Sequence, residues 1–290
     1  MMVQKHSGHY VLLASCPFQK GIAAKLTQFV YDLSSEIVDY DQYADIADNH
    51  FYCRMEWNPA AQNISDDEAL TRFREEIAEP MNLRWNLRRN DRPLRLAVFV
   101  TRELAHLYAL MMKCVSGLWD ANIELIISNH PDLADEAARF NIPYHHLPID
   151  KDNKAEQERR QLALLQDNEI ELIVLSRYMQ VVTEKIIAPY ENRIINIHHS
   201  MLPAFSGAKP YHQAHARGVK LIGATSHYLT SQLDEGPIIA QEVKVVDHRK
   251  TVPELISLGR DLEANALARA VGLHINSRII VSNGRTIVFD

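Results

Sequence analysis

Apolar positions along the chain change period repeatedly, and the changes mark out two modules. Residues 10–14 are a short apolar run that reads as a strand, closed by Cys16-Pro17 and Gly21. Ile22, Leu26, Phe29, Val30 and Leu33 then recur at spacings that put them on one face of a helix. Residues 37–47 and 50–57 read as two strands turned about Asp48-Asn49. Ser65 with Glu68 three residues later starts a second helix as a capping box, with Leu70, Phe73 and Ile77 inward, and Pro80 stops it. Residues 83–87 supply a last strand. Strand, helix, strand, strand, helix, strand is the order of the ferredoxin-like split βαβ unit. A lone four-stranded sheet leaves two edges open, so a homo-oligomer, dimer or tetramer, is expected.

Past Asn90-Asp91-Arg92-Pro93 the pattern changes. Apolar runs at 94–100, 123–128, 144–147, 170–175 and 194–197 alternate with helical patterns at 104–115, 132–140 and 153–166. Continuous rather than alternating apolar strands are buried on both faces, which predicts an α/β domain with a mostly parallel sheet. A further strand-like run follows at 222–229 and a helix at 252–273. The expected division is a small α+β domain at 8–88, a linker at 89–93 and an α/β domain at 94–290.

Composition narrows the function classes. A chain of 290 residues with 47% hydrophobic and 23% charged residues has material for two cores. Its net charge of −6 gives phosphates nothing to bind, so no nucleic-acid partner is expected, and the arginines at 84–95 read as a solvated connector. Cys16, Cys53 and Cys114 are scattered, with no CxxC pair, which argues against a disulfide framework or a thiolate zinc site. No apolar run approaches the ~18 residues a membrane span needs. The start has no signal-peptide pattern, so a cytoplasmic protein is expected. Neither GxGxxG nor GxxxxGK[ST] follows a strand, so no dinucleotide or triphosphate cradle is expected.

Chemistry concentrates between residues 194 and 237. The β-branched strand Ile194-Ile195-Asn196-Ile197 carries Asn196 and His198 two residues apart, hence on one face. Asp234-Glu235-Gly236-Pro237 is a turn by composition. An amide, an imidazole and a carboxylate can therefore meet beyond a strand's carboxyl end, where open parallel sheets bind ligands. Singly, each has a bland reading: Asn196 as a strand-end residue, Asp234 as a solvated one, Tyr178 and Met179 as core. His198, His199, His212 and His215 lack a carboxylate at a recognised ligand spacing, and no metal is expected.

Asn196 through Gly207 reads NIHHSMLPAFSG, and Leu233–Ile239 reads LDEGPII; together they resemble the formyltransferase fold that uses 10-formyltetrahydrofolate. GAKPYHQA, KLIGATSHY and LSRYMQ at 175–180 narrow the resemblance to the formyltetrahydrofolate deformylase family. The front module, with Cys16-Pro17-Phe18-Gln19-Lys20-Gly21 before its first helix, resembles the ACT domain. The resemblance implies a Rossmann-like catalytic domain that hydrolyses 10-formyltetrahydrofolate to tetrahydrofolate and formate, supplies formate for purine biosynthesis and needs no cofactor. It implies Asn196, His198 and Asp234 as catalytic residues. It places Arg177, Tyr178, Met179, Gln180, Val181, Thr230 and Leu233 in segments that receive the pterin, and His227 beside the site. It also implies an amino-acid effector at the ACT-like module. The chain departs from the family pattern at Phe18, where an acidic residue is usual, and at Ala105, His106 and Ala109, where His-Cys and an Asp are usual.

Water is the acceptor by elimination, because residues 101–106 offer no glycine-rich loop to anchor a phosphorylated amine. Two alternatives stay open at this level. One is a formyltransferase to an amine; the other is a folate or amino-acid sensor without turnover.

Overall fold

The computed structural model describes residues 8–59, 65–203 and 210–290, and they divide into two units. The first unit is Met1–Pro93 with Asn276–Ser282 and Ile287–Asp290. The unit boundary falls at 93/94, and the second unit takes in Leu94–Ile275 and Asn283–Thr286. The chain's end returns to the first unit as part of a hairpin, β12 (Ile279–Ser282) and β13 (Arg285–Val288), that the sequence pattern did not reveal.

In the first unit, β1 (Tyr10–Pro17), β2 (Glu36–Asp45), β3 (His50–Asn58) and β4 (Arg84–Arg89) form one sheet in the order β2-β3-β1-β4. The pairs β1–β3, β1–β4 and β2–β3 are all antiparallel, as the split βαβ order requires. Helix α1 (Ile22–Asp32) buries Ile22, Leu26, Phe29 and Val30. These side chains pack in one core with Leu12, Met55 and Trp57 from the sheet and Phe73 from α2 (Asp66–Phe73). Ser65 caps α2, its Oγ accepting the Glu68 N–H at 3.2 Å. Arg84, Arg88 and Arg89 lie on strand β4, so most of the expected arginine connector is sheet edge.

The second unit holds β5 (Leu94–Val100), β6 (Ala121–Ser128), β7 (Tyr144–His146), β8 (Leu172–Ser176), β9 (Ile194–His198), β10 (Leu221–Tyr228) and β11 (Ile238–Val245). They run in the order β11-β10-β9-β8-β5-β6-β7. The pairs from β9 across to β7 are parallel, while β10 and β11 are antiparallel additions. Helices α3 (Leu104–Val115), α4 (Ala134–Arg139), α5 (Lys154–Asp167), α6 (Glu184–Ile187), α7 (Pro210–Arg217) and α8 (Val252–Ile275) complete it. Val98, Phe99 and Val100 have no exposed surface, the outcome their unbroken apolar run predicts. Each such side chain contributes about 1.5–3 kcal/mol by leaving water. Strand β11 was not expected, because as an edge strand it exposes Val243 and Val245 and mixes in Gln241, Glu242 and Lys244.

Candidate active site

Strand β9 is where the parallel sheet ends and the antiparallel strands begin. Its last residues alternate faces, so Asn196 and His198 point the same way. Across from them on β10, His227 is the register partner of Asn196 and Thr225 that of His198. A register irregularity between Ser226 and His227 in the β10–β11 pairing re-aims this end of the strand. The chain then leaves β10 and returns through Asp234 to Pro237, whose carbonyl accepts the Tyr228 N–H at 2.9 Å. Asp234 takes a left-handed backbone, φ 58°, a conformation aspartate tolerates better than most residues.

This loop brings Asp234 Oδ1 to 3.2 Å from His198 Nδ1 and 3.8 Å from His227 Nε2. Asn196 Nδ2 lies 3.3 Å from His227 Nε2. His227 Nδ1 is 2.9 Å from the Tyr228 carbonyl oxygen, and only an N–H can pair with a carbonyl, so the proton sits on Nδ1. Nε2 is then an acceptor, and it fixes which way round the Asn196 amide stands. Burial holds His227 below the ordinary imidazole range, which keeps that lone pair available. His198 Nε2 is buried without a hydrogen-bond partner among the described residues. His199 stacks on His198 at 5.1 Å, and burial, with His198 next to it, pushes its pKa down to about 4. Asp234 is 24% exposed, so water can reach the one carboxylate of the group.

Asn196, His198, His227 and Asp234 thus meet, while the other expected substrate residues divide. Met179 is 66%, Val181 63% and Leu233 75% exposed, an unusual concentration of bare apolar side chains. Gln180 and Thr230 are half-buried. Tyr178 does not offer its ring to a ligand: it is buried edge-on against Phe99, with its hydroxyl accepting from Gln161 Nε2 at 3.0 Å. Arg177 points its guanidinium at Glu263 and Glu103, 3.4 and 3.6 Å away. The Tyr178 ring is thus committed to the core, while the Arg177 side chain stays 25% exposed. The segment is pinned just beyond β5 by the Met179 N–H, which Thr101 Oγ1 accepts at 3.1 Å. A cleft of 620 Å³ adjoins Asp234 and Leu233, with Arg285 and Thr286 on its far wall. Ala204, Phe205, Ser206 and Gly207 of the quoted motif lie outside the described residues. Among the described residues no His, Cys, Asp and Glu group is arranged to hold a metal, and no helix is long and apolar enough to cross a membrane.

Comparison with known proteins gives this geometry a class. Residues 94–271 match the family model described as formyl transferase, so the larger unit is a formyl-transferase domain. Over 278 residues the chain is 48% identical to a formyltetrahydrofolate deformylase of Synechocystis, covering 96% of this chain and 97% of that one. A Bacillus subtilis protein of the same name is 42% identical over 280 residues, 96% and 93% of the two chains. The crystal structure of a formyltetrahydrofolate deformylase from Pseudomonas syringae superposes with a TM-score of 0.94 at 36% identity, covering 97% of this chain and 94% of that one. The chain belongs to the formyltetrahydrofolate deformylase family.

Proposed function

We propose that the protein hydrolyses 10-formyltetrahydrofolate to tetrahydrofolate and formate, with Asn196, His198 and Asp234 as its catalytic residues. The observation that carries this is the convergence, at the end of β9, of a histidine-oriented amide, an imidazole whose Nε2 has no partner among the described residues and a water-accessible carboxylate. The formyl group on an aryl amine is an activated amide, so water can attack it without a covalent enzyme intermediate. The O–C bond that forms puts negative charge on the formyl oxygen. The second Asn196 N–H and, once it carries a hydrogen, His198 Nε2 are the donors for that oxygen, each worth about 3–4 kcal/mol in such sites. Asp234 takes the proton of the attacking water and returns one to the departing nitrogen, a role worth about 10²–10⁴-fold in rate. The backbone of 177–182, with Met179, Val181 and Leu233 covering the rings, is the place for the pterin and its benzoyl neighbour.

Transfer to a phosphorylated amine has less to support it, since β5 leads into α3 through Thr101-Arg102-Glu103 with no glycine-rich anion loop. The deciding experiment supplies 10-formyltetrahydrofolate and no amine. Stoichiometric formate release is expected; strict dependence on an added amine would replace this reading with the transferase one. Asp234→Asn should lose about 10²–10⁴ in kcat while still binding tetrahydrofolate. Unchanged turnover would mean that another group handles the proton.

The rest of the proposal concerns organisation. Residues 8–88 would regulate and associate, with an amino-acid effector, and the catalytic part would start at residue 94 in a cytoplasmic protein. Edge strand β2 exposes Ile37, Val38 and Tyr43, which favours self-association. Light scattering should return a dimer or tetramer; a monomer at all working concentrations removes the claim.

A further inference from the structure

A buried polar cluster behind the site has no part in the chemistry above. Glu263, on α8, has no exposed side-chain surface. Its Oε1 accepts the hydroxyl of Tyr211, from α7, at 2.8 Å. Its Oε2 lies 3.4 Å from Arg177 Nη1 and 3.6 Å from Nε2 of the equally buried His106 on α3. Neither His106 nitrogen nor Glu263 Oε2 has a hydrogen-bond partner among the described residues, so the Arg177 charge is the main compensation for this carboxylate. Gly259, one turn earlier on α8, makes the arrangement possible, because a Cβ there would collide with the Tyr211 hydroxyl.

Arg177 is where the cluster touches function. Its backbone is left-handed, φ 52°, which is uncommon for arginine and persists where surrounding structure fixes it. It is the first residue of the segment 177–182, which is tied downstream by the Met179 N–H to Thr101 Oγ1. We propose that Glu263 is a positioning residue for this loop: its ion pair with Arg177 holds the left-handed entry that presents the 177–182 backbone to the pterin. This rests on the reading above that the segment receives the pterin.

Glu263→Gln keeps the shape of the side chain and an acceptor for Tyr211 while removing the charge that faces Arg177. KM for 10-formyltetrahydrofolate is expected to rise about tenfold with kcat within about threefold, the signature of lost uniform binding. In an Arg177→Met background the same change should add nothing to KM, because the two residues act through one contact. A folded Glu263→Gln protein with unchanged KM, or KM effects that simply multiply, would overturn the proposal. Should Glu263→Gln not fold, Tyr211→Phe removes one tie to the carboxylate and should raise KM about threefold; no rise overturns the proposal equally. Tetrahydrofolate titrations separate the two readings. Wild-type protein that fails to bind refutes the substrate assignment, whereas normal binding by wild type and Glu263→Gln alike refutes only the positioning role.

Discussion

Gly236 shows how little freedom the Asp234 turn has. A Cβ there would overlap the carbonyl oxygen of Tyr228 and press on His227 Nδ1, the two atoms whose hydrogen bond sets the His227 tautomer. Gly236→Ala should therefore displace the Asp234 turn and cost at least about 100-fold in formate release, within the range of losing a positioned acid–base group. Circular dichroism should stay native; near-normal activity would show that the turn can shift without harm. His227 Nε2 faces the Asn196 amide at 3.3 Å and Asp234 Oδ1 at 3.8 Å. His227→Phe leaves the amide unoriented and should lower kcat by about tenfold to 1000-fold, up to the cost of losing one oxyanion donor, while tetrahydrofolate affinity holds. A KM effect with kcat intact would assign His227 to substrate binding instead. At this scale the sequence was informative where chemistry is local. Asn196 and His198 could be paired from their spacing on one strand, and Asp234 from its turn. The hold of His227 on Asn196 depends on strand register, and the cluster of His106, Arg177, Tyr211 and Glu263 on four separate elements, neither of which a linear pattern encodes.

At the scale of elements, legibility followed burial. Strands β5, β8 and β9 are largely buried and read as mainly apolar runs, interrupted at Arg95, Asn196 and His198. Strand β11 and the terminal hairpin are half-covered and mixed in composition, so neither strand period stood out. The same burial sets the cost of damage. Phe99→Ala, removing a fully buried ring from β5 that also supports Tyr178, should destabilise the protein by about 3–5 kcal/mol in urea unfolding. At the exposed start of α2, Ser65→Ala removes a single cap bond and should cost only about 1 kcal/mol. Equal costs would contradict the assignment of stability to burial.

For the whole molecule, stability should depend on pH through its buried histidines. Burial pushes His106 down to about 4 from an ordinary 6.5, with the nearby Arg177 charge adding to the effect. Above pH 6.5 neither folded nor unfolded chain carries that proton. As pH falls from 6.5 towards 4 the unfolded chain binds it and the folded one does not, so unfolding becomes easier by up to about 1.4 kcal/mol per pH unit. Denaturant midpoints measured across this interval should fall, and His106→Gln should fall less steeply than wild type. Parallel curves would mean that His106 is protonated in the folded protein.

Isotope labelling of the product reaches the central claim most directly. Reaction of purified protein with 10-formyltetrahydrofolate in H₂¹⁸O, with no amine added, should yield formate carrying one solvent oxygen and an equal amount of tetrahydrofolate, and Asp234→Asn should suppress both. Formate without solvent oxygen, or no product until an amine is supplied, would contradict water as the acceptor.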